Sequence, residues 1–299
     1  MACEQFITRE FRGSSRAIID QAIEIIDDYL AQGFTLTLRQ LYYQFVARDL
    51  LPNRQQSYDR LGSIVNDARL AGLIDWSAIE DRTRNVRSPS VWENPQAIMD
   101  AVAAQYKEDL WVGQDCRVEV WIEKDALIGV VEPACNRWRV PYFACRGYSS
   151  QSEQYAAGWR FRNLIDQDIK PIVLHLGDHD PSGIDMTRDN ADRLTMFACG
   201  VVEVRRLALN WDQVERYRPP PNPAKMTDSR AGPYVARFGG SSWELDALDP
   251  RTIDQLIDVE IRSLVDHELW AERAGDETEN RTTLQTVSAR WEDVKDFCR

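Results

Sequence analysis

The sequence predicts an α/β protein in three parts. An N-terminal helical domain of winged-helix shape comes first, then a mainly parallel four-stranded sheet flanked by helices in a Rossmann-like layout, then a helical C-terminal extension. Three observations predict this. Apolar residues recur at helical spacing through residues 15–72. Short apolar runs of strand length alternate with helical stretches from 117 to 210. Helical spacing returns after a Pro- and Gly-rich stretch at 218–243.

In order, "SRAIIDQAIEIIDDYLAQ" (15–32) places Ile18, Ile19, Ala22, Ile23, Ile26, Tyr29 and Leu30 on one stripe, and Gly33 stops the helix. "TLTLRQLYYQFVARDLL" (35–51) follows, with Thr37 as N-cap and Pro52 beyond its end. A third helix covers 57–72 with Tyr58, Leu61, Ile64, Val65 and Ala68 inward. "LIDWSAIEDRTRNVRSP" then alternates loosely and ends in arginines, like a β-wing. Three helices and a basic wing describe a winged helix-turn-helix, a shape that docks on DNA. Residues 94–112 read as a bridging helix. Strands are expected at 117–123, 140–146, 170–177 and 201–209, with helices at 124–139, 149–165 and 183–198 between them. Two more helices are expected near 250–272 and 281–298. The division is 1–92 for the winged-helix domain, 93–116 for the bridge, 117–210 for the sheet domain and 211–299 for the loop and helical extension.

Composition narrows the function. At 43% hydrophobic and 28% charged residues, the 299-residue chain reads as globular. No apolar run suits a membrane span, and the N-terminal stretch lacks a secretory h-region. Six scattered cysteines and three histidines, without zinc spacing, suit a reducing cytoplasm. A net charge of −12 excludes coating nucleic acid by bulk electrostatics. Residues 36–92 nevertheless hold eight arginines against six acids, so a local basic lobe can meet phosphates. Arg60, Arg69, Arg82, Arg84 and Arg87 are its candidate DNA contacts.

The chemistry concentrates where strands end. "KPIVLHLGDHDPSGIDM" (170–186) runs from an apolar strand into Asp178, Asp180 and Asp185. Residues i and i+2 of extended chain share a side, so Asp178 and Asp180 face together, and Glu123 ends another strand of the same sheet. Three carboxylates about 5 Å apart repel by ~3 kcal/mol per pair at an effective dielectric of 20. Oxygen-only ligands suit Mg²⁺ or Mn²⁺. The alternative is that such acids cap helices or stay solvated. His179 alternates away from the aspartates and reads as structural, while Asp185 reads as a supporting acid or a first-turn helix residue. Glu119 lies too far back along its strand to join them. Glu244 and Asp246 read as the flank of a helix N-terminus.

"VWIEKDAL" and "LGDHDPSGIDM" resemble the two signatures of the Toprim domain, most closely those of the topoisomerase VI A subunit and its meiotic double-strand-break relatives. Glu123-Lys124 and Asp178-x-Asp180-Pro181-x-Gly183-Ile184 match both, with "RGYSS" (146–150) at the family's Gly-Tyr turn. The resemblance covers about 117–210. It implies that Glu123, Asp178 and Asp180 hold Mg²⁺ at a scissile phosphate. Lys124, just past the strand, is by position a candidate phosphate contact, the alternative being a solvated lysine. The resemblance also implies an Arg-x-x-Tyr-Tyr helix, which Arg39, Tyr42 and Tyr43 match, and the second tyrosine as nucleophile. A homodimer in which Tyr43 of one chain meets the metal site of the other, and a separate ATPase subunit, are the partners implied.

A helical wheel, drawn at 100° per residue, puts Tyr42 with Leu38, Leu41 and Phe45 on the core face and Tyr43 outside it, beside Arg39 at i−4. A phenol with pKa near 10 needs an adjacent cation to react, and Arg39 is placed for that. The expected activity is metal-dependent DNA cleavage with Tyr43, Arg39 and Glu123 as catalytic residues. A Toprim nuclease using metal-activated water, or a non-catalytic DNA-binding subunit, are the alternatives.

Overall fold

The computed structural model describes residues 3–79 and 89–298. Three helices open the chain: α1 (Gly13–Leu30), α2 (Leu38–Ala47) and α3 (Gln55–Leu70). Thr37 caps α2 through a reciprocal box: its hydroxyl accepts from Gln40 N at 3.2 Å while Gln40 Oε1 accepts from Thr37 N at 2.8 Å. Ile19, Ile26, Tyr29, Leu41, Phe45, Leu61 and Val65 form one buried core. Ile25 joins it, and Leu30, expected inside, is exposed because the chain turns away at the helix end. Ile79, in extended backbone, makes a parallel bridge to Leu36. The wing expected from the sequence, with Arg82, Arg84 and Arg87, lies outside the described residues.

The bridge, α4 (Pro95–Gln105), is shorter than its apolar pattern, because Tyr106 turns extended. Asp109 then fixes a tight turn by accepting from Trp111 N at 3.0 Å.

Next come β1 (Cys116–Ile122), α5 (Ile128–Arg137), β2 (Tyr142–Ala144), α6 (Gln151–Ile165), β3 (Lys170–Leu176), α7 (Pro181–Ala198) and β4 (Glu203–Ala208). The four strands form one parallel sheet in the order β2-β1-β3-β4. This is the α/β sheet that the alternation predicts. Alternate residues divide its faces. Val118, Val120, Ile172 and Leu174 pack towards α5, while Trp121 and Val173 pack on Phe161 and Leu194 of α6 and α7. From β1 the chain steps outward to β2, then crosses back to β3 on β1's other side. The crevice beyond the carboxyl ends of β1 and β3 is therefore a topological switch point, where open α/β sheets bind ligands.

The tail contains more structure than its Pro and Gly content suggests. α8 (Trp211–Tyr217) precedes an antiparallel pair, β5 (Asn222–Pro223) with β6 (Ser241–Ser242), which brackets α9 (Ala231–Phe238). α10 (Pro250–Leu264), α11 (His267–Ala289) and α12 (Trp291–Phe297) finish the chain. Two helices were expected here, where the chain forms three. Instead α10 stops at Leu264 and Asp266 caps α11, accepting from Glu268 N at 2.9 Å. Gln114 locks the break, with its side chain donating to Asp266 O at 3.0 Å and accepting from Asp266 N at 2.7 Å. Helical periodicity carries no signal of so distant a partner. Among the described residues no helix is long and apolar enough to cross a membrane.

Candidate active site

Glu123 leaves β1 and Asp178 leaves β3, side by side at the switch point. Glu123 N donates to Leu176 O at 2.8 Å, and Glu123 Oε2 accepts from Asp178 N at 2.9 Å. Gly177 permits this approach, since a Cβ there would stand 2.9 Å from Glu123 Oε2. Asp180 is the N-cap of α7: its Oδ1 accepts from Gly183 N at 2.6 Å and from Ser182 Oγ at 2.9 Å, and Pro181 fills the first helical position. Gly183 brings that first turn against Asp178, because a Cβ would lie 2.2 Å from Asp178 O. The "DHDPSG" run is thus one device that aims two carboxylates. Gly183→Ala is expected to push α7 off the loop and lower stability by roughly 2–4 kcal/mol, as overpacking against backbone does. A chemical-denaturation midpoint equal to wild type would refute this packing account.

His179 is structural, as its alternation predicts. Its ring packs among Trp211, Tyr234, Phe238 and Trp243, and its Nδ1 pairs with Tyr234 Oη at 2.8 Å. Asp185 faces elsewhere and accepts from Tyr148 Oη at 2.7 Å and Arg230 Nη1 at 3.0 Å. Glu119 accepts from the indole of Trp121 at 2.9 Å and from Arg160, remote from the site.

Arg206 on β4 was not singled out from the sequence. Its guanidinium donates to Asp178 O at 2.6 Å, Gly183 O at 2.8 Å, Gly177 O at 3.1 Å and Thr187 Oγ1 at 2.8 Å. One half-buried cation therefore knits the loop that carries both aspartates. β4 also carries Glu203 and Arg205, so the sequence alone did not set Arg206 apart.

Two cations face the acids from the other side. Lys124 Nζ stands 2.9 Å from Asp178 Oδ1, 3.1 Å from Glu244 Oε2 and 3.3 Å from Asp246 Oδ1. Burial disfavours its charge, but Asp178, Asp246 and Glu244 outweigh that and raise its pKa. Arg39 pairs with Glu244 through Nη2 and with Asp246 through Nε at 3.1 Å. Glu244 and Asp246 are therefore more than a helix flank. They are the counter-ions of Arg39 and Lys124. They arrive with β6, whose next residue, Trp243, bridges to His179.

The tyrosine pair differs from the helical-wheel reading. Tyr42 is 4% exposed and Tyr43 is 3% exposed, so both are buried. The wheel treats any face turned from its own bundle as solvent, but here the tail covers it, with Asn222 and Glu244 lining the same cleft as Tyr43. The two hydroxyls differ in what holds them. Tyr42 Oη accepts from Arg54 N at 2.8 Å and donates within the Pro52–Arg54 turn, which fixes it to backbone. Tyr43 shares a cleft of about 350 Å³ with Arg39, Arg54, Asp178, Asp180, Lys225 and Glu244. All of these belong to one chain, whereas the resemblance implies a tyrosine facing the partner's acids. Burial and the Glu244 charge raise the Tyr43 pKa, against the pull of Arg39 and Asn222.

Five carboxylates (Glu123, Asp178, Asp180, Glu244 and Asp246) meet three cations (Arg39, Lys124 and Arg206) here. Burial and the adjacent Asp178 raise the Glu123 pKa, and burial raises that of Asp178 despite Lys124. Each predicted metal ligand commits one oxygen to the fold: Glu123 Oε2, Asp178 Oδ1 and Asp180 Oδ1. Among the described residues, the second oxygen of each has no protein hydrogen bond. This donor set fits a hard divalent cation. Among the described residues, no group of three or more His, Cys, Asp or Glu is arranged closely enough to hold a metal ion as it stands. Of the other candidate DNA contacts, Arg60 is exposed, and Arg69 lies over the Trp76 ring at 4.5 Å and donates to Trp76 O. No known protein-family model and no curated protein matches this chain.

Proposed function

We propose that this protein is a metal-dependent DNA-cleaving enzyme, a Toprim domain behind a winged helix, in which Glu123, Asp178 and Asp180 hold Mg²⁺ or Mn²⁺ and Tyr43 attacks the phosphodiester. One observation carries the reading: a surplus of carboxylates converges at the switch point of a parallel sheet, in a cleft that also contains a tyrosine and an arginine. A bound divalent cation supplies charge neutralisation at the phosphate. Arg39 adds a donor where negative charge grows on the phosphorus oxygens. In the reaction a bond forms between Tyr43 Oη and phosphorus while the bond to the 3′ oxygen breaks. The phenol proton leaves to solvent, and the 3′ oxygen takes a proton to become a hydroxyl. The product is a 5′-phosphotyrosyl end. DNA is the partner, bound through Arg39, Arg60, Arg69 and Lys124 together with wing arginines Arg82, Arg84 and Arg87. A homodimer and a separate ATPase subunit complete the proposed assembly, in a cytoplasmic setting.

A second reading has its own support. Tyr43 is buried and its pKa is raised, which disfavours a phenolate and favours attack by a cation-bound water.

The test is incubation of supercoiled and linear DNA with Mn²⁺, Mg²⁺ or EDTA, with half of each sample digested by protease. Cutting with cation and none in EDTA is expected, and intact DNA in every cation would overturn the reading. Glu123 and Asp178 bind protons more tightly folded than unfolded, so they lose stability as pH rises from the ordinary carboxylate range through their raised values. Mn²⁺ offsets that loss, so its rise in Tm should be larger at pH 8 than at pH 5.

A further inference from the structure

Arg39 and Lys124 are shared by two tail carboxylates of unequal standing. Asp246 is 4% exposed and stands behind the cleft, reaching Arg39 Nε at 3.1 Å and Lys124 Nζ at 3.3 Å. Glu244 lines the cleft and keeps a quarter of its side chain exposed. Its Oε2 bridges Arg39 and Lys124, while its Oε1 accepts from Asn222 Nδ2 at 3.2 Å.

The backbone under Glu244 is pinned on both sides. Trp243 and His179 exchange paired hydrogen bonds of 2.8 and 3.0 Å, and Leu245 N donates to Asp178 Oδ1 at 2.8 Å. Rotation of the Glu244 side chain is the motion left free. One anionic oxygen between a guanidinium and an ammonium is the arrangement that a non-bridging phosphate oxygen takes. Arg54 and Lys225 line the same cleft, where the neighbouring phosphates of a backbone would pass. With Glu244 seated, Arg39 and Lys124 face the charges of Asp178, Glu244 and Asp246, so a phosphodiester entering beside them meets net repulsion.

We propose that the Glu244 carboxylate is an internal stand-in for a DNA phosphate: it holds the anion seat of Arg39 and Lys124 and swings out when a phosphodiester enters, while Asp246 remains as their permanent counter-ion. This rests on the DNA reading above and adds how the site is kept closed without DNA.

The experiment measures binding of a fluorescent duplex of about 20 base pairs in EDTA across a salt series, which removes cation binding from the readout. Glu244→Gln keeps the shape and the Asn222 contact but drops the charge. It is expected to bind about tenfold tighter, the worth of one partly screened charge contact, with a salt slope steeper by about 0.9. In an Arg39→Ala background the gain should shrink, because only Lys124 is left in the seat, and an undiminished gain would overturn the stand-in. Asp246→Asn should give no gain and should lower Tm. Equal or weaker binding by Glu244→Gln overturns the stand-in and leaves the DNA reading in place. An equal gain from Asp246→Asn also overturns it, because bulk charge would then explain the effect. If neither wild type nor Glu244→Gln binds duplex at low salt, both readings fall.

Discussion

Asp178→Asn is expected to lower cation-dependent cutting by at least about a hundredfold, the scale of losing one preorganised charge at a reacting phosphate. The amide keeps the acceptor that Leu245 N uses at 2.8 Å, so the loop retains its shape. What disappears is the charge that grips a cation. Folding should not suffer. Burial makes the Asp178 charge costly in the native state, so a neutral side chain removes a strain even as Lys124 loses a partner. The Tm at pH 8 is therefore expected to equal or exceed that of wild type. A variant that cuts at the wild-type rate would end the metal assignment. One that is inactive but also unfolded would refute the electrostatic account of the site.

Tyr43→Phe is expected to abolish cutting while DNA binding persists, because only the attacking oxygen is removed. Tyr42→Phe should cut normally yet lose about 1–2 kcal/mol of stability, since Arg54 N gives up its 2.8 Å acceptor. Denaturant quenching of wild type should trap protein on a 5′ end that protease releases. An active Tyr43→Phe without an adduct would select the water mechanism and retire the tyrosine. The cleft adds a further discriminator, because Tyr43 shares it with the Asp178 of its own chain. Mixed Tyr43→Phe and Asp178→Asn chains should stay inactive. Recovery on mixing would show that the tyrosine serves its partner's site.

The sheet was legible because its strands are short apolar runs between helical patterns, and β1, β3 and β4 lie within two residues of the expected bounds. The acids were legible because a strand ending in Asp178 and Asp180 is an expensive arrangement. The strand order was not, since parallel runs do not state their neighbours. Asp180's role as helix cap was present in "DPSG", where proline at the first helical position marks the residue before it. Tyr43 was misjudged because a helical wheel knows only its own helix, and the cover comes from Asn222 and Glu244 far along the chain. Glu244 and Asp246 had no local signature, because their meaning lies in Arg39 and Lys124.

The segment around residues 243–249 also reaches beyond the site. Ala247 sits in the core of the N-terminal helices, and Asp249 accepts from the Tyr29 hydroxyl at 2.9 Å. It is synthesised after Tyr29, Arg39, Lys124, Asp178 and His179, all of which it touches. A growing chain displays its N-terminal helices long before the piece that seals their core and seats Arg39 has left the ribosome. The charged cluster is thus completed late, and a polypeptide interrupted before this segment lacks the counter-ions of Arg39 and Lys124.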